Sequence, residues 1–66
     1  MNIIINGQEK EIQANATLQE VLVSLSLDDK VMAAAVNMEI VKQDSWSRYL
    51  LKENDKLELL DFVGGG

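Results

Sequence analysis

Short apolar runs punctuated by turn residues occupy both ends of the chain, and a helical stripe lies between them. Ile3-Ile4-Ile5 is short and β-branched, which predicts a strand. Asn6-Gly7 follows at once and is a strong signal for a two-residue hairpin turn. Lys10-Glu11-Ile12-Gln13 fits the returning strand, polar and partly exposed. Thr17-Leu18-Gln19-Glu20 then has the capping-box pattern, with Thr17 as N-cap and Glu20 at the third helical position. Leu18, Val21, Leu22 and Leu25 recur at helical spacing. They predict one amphipathic helix of roughly 8–10 residues whose stripe belongs to the core.

Asp28-Asp29-Lys30 is a polar break, and Val31 to Val36 is apolar throughout, as expected of a strand buried on at least one face. Asn37-Met38-Glu39 reads as a turn and Ile40-Val41-Lys42 as a short strand. Gln43 to Tyr49 reads as a helical turn or loop with Trp46 plugging the edge of the core. Lys52-Glu53-Asn54-Asp55 is a turn, and residues 56–62 form the last strand. The order β-β-α-β-β-β implies an α+β fold, a mixed sheet with the main helix on one face. It is the β-grasp, or ubiquitin-like, pattern, with a domain over residues 1–62 and a Gly-rich tail over 63–66. The first and last strands should then be parallel neighbours at the sheet centre. Alternation turns Met1, Ile3, Ile5, Leu57 and Leu59 toward the helix. It turns Ile4, Leu60 and Phe62 toward the open face, where apolar side chains on neighbouring strands make a candidate partner-binding surface.

The 66 residues suffice for one domain, and a hydrophobic fraction of 47% supports a core. There is no Cys and no His. That excludes a disulfide, a thiol nucleophile, a persulfide on this chain and the commonest acid–base and metal-binding group. The 11 carboxylates are scattered, so a self-sufficient enzyme, a catalytic residue set and a metal site are not expected. A net charge of −5 disfavours nucleic acid and anionic membranes. It would steer a partner protein with a basic face, and it also serves solubility. No apolar run is long enough to span a membrane, and Met1 to Gly7 lacks a signal-peptide pattern. A cytoplasmic protein, monomeric when free, is the expectation.

Gly64-Gly65-Gly66 closes the sequence. At about 7% glycine usage, two terminal glycines arise by chance in roughly 0.5% of chains. Residues 63–66, if extended, reach about 13 Å, enough to enter a deep pocket on a partner. Lacking Cβ, they pass a narrow channel and present a carboxylate. A carboxylate is a poor electrophile and needs a leaving group before it can accept sulfur or an amine. The chain has no phosphate-binding loop, so a partner must bind ATP and Mg²⁺, and the chain itself needs no bound cofactor. Gly66 is thus the candidate modified residue and Gly64 and Gly65 the candidate tail-recognition residues.

Over its whole length the sequence resembles the ThiS family, the sulfur carriers of thiazole synthesis for thiamine. The resemblance rests on the first strand with Asn6-Gly7, Thr17-Leu18 to Leu25, and Val36-Asn37-Met38-Glu39-Ile40-Val41 followed by Trp46. It rests further on Asp55-Lys56-Leu57-Glu58-Leu59-Leu60 and the terminal Gly65-Gly66. It implies that an E1-like adenylyltransferase (ThiF) activates Gly66 and that a sulfur-donor protein feeds a relay converting it to a thiocarboxylate. Thiazole synthase (ThiG) would then take the sulfur. The small subunit of molybdopterin synthase, a ubiquitin-like protein modifier and a plain interaction module are the alternative readings.

Overall fold

The computed structural model describes residues 1–61. Strands β1 (Asn2–Ile5) and β2 (Gln8–Glu11) precede helix α1 (Leu18–Ser24), and β3 (Val31–Val36) and β4 (Glu39–Val41) follow it. A 3-10 helix spans Gln43–Arg48, and β5 spans Lys56–Asp61. The sheet order is β2-β1-β5-β3-β4. Strands β1 and β5 pair in parallel, and the other neighbours are antiparallel. This is the β-grasp arrangement that the order of elements predicts, with β5 in the middle. The predicted boundary between domain and tail falls at Phe62 and residue 63, outside the described residues.

Asn6 (φ 48°) and Gly7 (φ 84°) both lie in the left-handed region, as a two-residue hairpin turn requires. Pairing resumes at Ile5↔Gln8 immediately after it. The second strand is therefore Gln8–Glu11, two residues earlier than the polar pattern suggests, and all four of its side chains are exposed. Its two glutamates and one lysine leave this sheet edge a poor template for further pairing. Ile12, just beyond it, packs against the core.

Helix α1 has seven residues, shorter than the apolar stripe predicts. The capping box forms: Thr17 Oγ1 accepts from Glu20 N at 3.1 Å, and Thr17 N donates to Glu20 Oε1 at 2.8 Å. At the other end Leu25 caps the helix and Ser26 turns to φ 60°, which ends it. Leu18, Val21 and Leu22 are buried, and Leu25 is half-buried against them. Ile3, Ile5 and Leu57 meet them from the sheet, with Met1 and Leu59 packed at the margin, so the alternation holds. Trp46 is more than an edge plug. It is 1% exposed, and its Nε1 donates to Val41 O at 2.9 Å.

Strand β3 has the predicted bounds and a bulge. Val31 and Ala34 are both buried although three apart, whereas strict alternation would place them on opposite faces. The pairing shifts between Val31 and Ala33, and Met32 is the extra residue, 50% exposed. Strand β4 begins one residue earlier than expected. Asn37 (φ 51°) and Met38 (φ 72°) make the whole turn, and Val36↔Glu39 closes it.

A side-chain clamp holds the start of β5. Asn37 Oδ1 accepts from Lys56 N at 3.0 Å, and Asn37 N donates to Lys56 O at 2.8 Å. Asn37 Nδ2 donates to Asp55 Oδ1 at 2.9 Å, and Asp55 Oδ2 accepts from Lys52 N at 2.8 Å. Asp55 is the buried charged residue among the described residues, and both its oxygens have partners. The clamp extends the β3–β5 ladder one rung past Val36↔Leu57, with one bond from the Asn37 main chain and the other from its side chain.

Candidate functional site

The sheet is built around β5, and β5 leads into the glycine tail. Its first half lies between β1 and β3, and beyond Leu57 it pairs with β3 alone. Gly64, Gly65 and Gly66, as well as Phe62, lie outside the described residues. What the structure supplies is the root of the tail and the faces around it.

Ile4 and Leu60 both point away from the core, since Ile3, Ile5 and Leu57 on the same strands are buried. The register nonetheless separates them. Ile4 is level with Lys56, so Leu60 lies four residues further along, about 13 Å at 3.3 Å per residue. Strand β1 stops at Ile5, and the hairpin carries the chain away before Leu60 is reached. Parity alone brings the two to one face but not into one patch.

Leu60 has other neighbours. It pairs with Ala33, and Ala35 pairs with Ile40 on β4. Leu60 is 55% exposed and Ile40 73%. With Ala33, Ala35 and Glu58 they line a shallow depression of about 210 Å³ on the open face. Two alanines side by side on β3 keep its floor low, so the two large side chains form walls. Ile40 was not singled out from the sequence. The available signal was the alternation in β4, where Val41 is buried and the preceding residue must face outward. The bulge also turns Met32 out of the core.

A larger cleft, about 690 Å³, runs between the segment after β2 and helix α1. Ile12, Ala14, Val23 and Leu25 give it apolar walls, and Glu11 and Glu20 are its ionisable residues. Glu20 accepts from Thr17 N through the capping box, which fixes its carboxylate at the helix start. Among the described residues no three His, Cys, Asp or Glu side chains gather to hold a metal ion. No helix among them is long and apolar enough to cross a membrane. Of these two depressions, the one between Leu60 and Ile40 lies on β5 near the end of the described residues.

Comparison with known proteins agrees with this architecture. A model of the ThiS family matches residues 3–66. The sulfur carrier protein ThiS of Bacillus subtilis is 32% identical over 63 residues, which cover 94% of this chain and 96% of that protein. The thiazole synthase of Paramagnetospirillum magneticum is 36% identical over 66 residues, all of this chain but 20% of that protein's length. The crystal structure of the thiamine biosynthesis protein ThiS from Geobacter metallireducens superposes with a TM-score of 0.82 at 26% identity, covering 100% of both chains. The fold, the Asn6-Gly7 hairpin, the central last strand and a match that runs through the terminal glycines lead to one conclusion: the chain belongs to the ThiS family.

Proposed function

We propose that this chain is a sulfur carrier for thiazole formation in thiamine biosynthesis and that Gly66 is the residue that carries the sulfur. One observation carries the reading: the family match extends through the glycine tail, which follows the central strand β5 in sequence. The Gly66 carboxylate attacks the α-phosphorus of ATP, displacing pyrophosphate and forming an acyl-adenylate. The outer sulfur of a donor protein's persulfide then displaces AMP to give an acyl disulfide. A thiol attacks the donor-side sulfur of that disulfide, releasing the Gly66 thiocarboxylate and leaving a thiol–donor disulfide. ATP and Mg²⁺ belong to the site of a ThiF-type adenylyltransferase, so this chain is the substrate of that enzyme. Gly64 and Gly65 are the slim neighbours that let Gly66 reach the reacting centre.

Thiazole synthase is the proposed recipient of the sulfur. The relative in Paramagnetospirillum magneticum, named a thiazole synthase, contains a stretch matching all of this chain, which supports a shared task. The depression between Leu60 and Ile40, with Phe62 just beyond it in sequence, is the proposed partner-facing surface.

Intact-mass measurement tests the reading. The chain is incubated with a ThiF-type enzyme, ATP, Mg²⁺ and a sulfur donor. A gain of about 16 Da, the O-to-S difference, is expected on the C-terminal peptide, and locating it there separates it from methionine oxidation, which adds nearly the same mass. That separation matters because Met38 is 88% exposed. No gain on that peptide, or an unchanged yield after deletion of Gly65-Gly66, would overturn the proposal.

A further inference from the structure

We infer that Asn6 is a positioning residue for the tail: its side chain latches the last part of β5 and thereby sets the direction in which the reactive end leaves the sheet. The inference rests on the carrier role proposed above. It comes from following the β1–β5 ladder one step past its end. In a parallel ladder a residue donates to one carbonyl of its neighbour strand and accepts from the N–H two residues further along. Asn6 N donates to Leu57 O at 2.9 Å, two residues on from Ile4 N to Asp55 O at 2.9 Å. The next rung would take Leu59 N to the main-chain carbonyl of Asn6. At φ 48° the backbone has already entered the hairpin turn, and that rung is not made by the main chain. Asn6 Oδ1 makes it instead, accepting from Leu59 N at 2.8 Å across a separation of 53 residues.

One residue therefore has two tasks. As the first residue of the turn it adopts the left-handed conformation that asparagine tolerates. As a surrogate strand it satisfies the Leu59 N–H on the side where β1 has departed. Beyond this rung β5 is held by β3 alone, through the bulged pairing of Leu60 and Asp61. Among the described residues the latch is thus the last bond from the β1 hairpin to β5, and Phe62 and the glycines follow in sequence. A tail whose root can swing delivers its carboxylate to the partner's reacting centre less often, although the docking faces of the domain are unchanged.

Two substitutions separate the tasks. Asn6→Gly keeps the turn, since glycine favours φ > 0, and deletes the acceptor. Asn6→Asp keeps both the turn and the acceptor. Asn54→Gly is the control: Asn54 also has positive φ (68°), lies in the turn before β5 and takes no part in the latch. Hydrogen exchange of the Leu59 amide and steady-state adenylation by a ThiF-type enzyme are measured on the 66-residue chain. In Asn6→Gly the Leu59 amide should exchange about tenfold faster, and kcat should fall about tenfold with KM unchanged, because misplacement at the root affects the productive fraction of bound complexes. Asn6→Asp and Asn54→Gly should behave as wild type.

A loss of kcat in Asn54→Gly equal to that in Asn6→Gly would assign the effect to the added glycine and overturn the inference. So would a lowered unfolding temperature in Asn6→Gly with kcat retained, which is the result a purely structural role predicts. Wild-type chain that is never adenylated overturns the proposed function and the latch's role together. Wild-type chain that is adenylated no faster than Asn6→Gly overturns the latch alone.

Discussion

Asp55→Ala removes both acceptors at the centre of the clamp that starts β5. Lys52 N loses its partner at 2.8 Å and Asn37 Nδ2 its partner at 2.9 Å. A hydrogen bond to a carboxylate contributes about 1.5–3 kcal/mol, and here the lower end applies because Asn37 is exposed and its amide can turn to water. The two together come to about 3 kcal/mol. A domain of this length has a total stability of about 3–10 kcal/mol, so the loss is a large fraction of it. At about 4–8 °C per kcal/mol, the unfolding midpoint should drop by about 12–24 °C. Trp46 reports the transition, since it is the single tryptophan and is 1% exposed when folded. Urea titration followed by its fluorescence should show a lower midpoint with an unchanged slope. A cycle with Asn37→Gly, which removes the other partner and accommodates φ 51°, isolates the shared bond and should give a coupling of about 1.5 kcal/mol. A loss below about 1 kcal/mol in Asp55→Ala, or additive single effects, would refute the idea that the two side chains act as one unit.

Trp46→Phe removes the buried hydrogen bond from Trp46 Nε1 to Val41 O and should cost about 1 kcal/mol, read by circular dichroism because the fluorophore is gone. A midpoint equal to wild type would mean that the hydrogen bond contributes nothing. Met38→Gly should raise stability by about 1 kcal/mol, because Met38 holds φ 72° and is 88% exposed, so little packing is lost. Chemical denaturation checks it, and a destabilised variant would show that the Met38 side chain makes a contact worth more than its backbone strain. Thr17→Ala should lose about 1 kcal/mol through the capping box, whereas Thr17→Ser should lose little, and thermal melts of the pair distinguish the hydroxyl from the methyl group.

Much of the fold was legible because its signals are local. The left-handed turn at Asn6-Gly7, the capping box at Thr17 and Glu20 and the apolar spacing of Leu18, Val21 and Leu22 each act within a few residues. Their order was enough to place β1 beside β5. Errors in element bounds arose where a turn was tighter than the polar pattern suggests, as at Gln8 and Glu39, or where a left-handed residue stopped a helix early, as at Ser26.

The candidate surface was half legible. Alternation assigns Ile4 and Leu60 to one face because side-chain parity belongs to each strand. Their separation depends on where β1 stops relative to β5, a register set by contacts between distant segments. Leu60 joins Ile40 for the same reason, through two pairings with β3. The bulge at Met32 shifts parity within a strand, and its composition does not announce it. By itself, then, the sequence determined the kinds of elements, their order and the glycine tail as the candidate site of chemistry. Only the tertiary structure decided that Asn6 reaches Leu59 and that Asn37 reaches Asp55, across 53 and 18 residues. Such bonds come from segments distant in sequence brought together by the shared core, and no local pattern of residues encodes the distance between them.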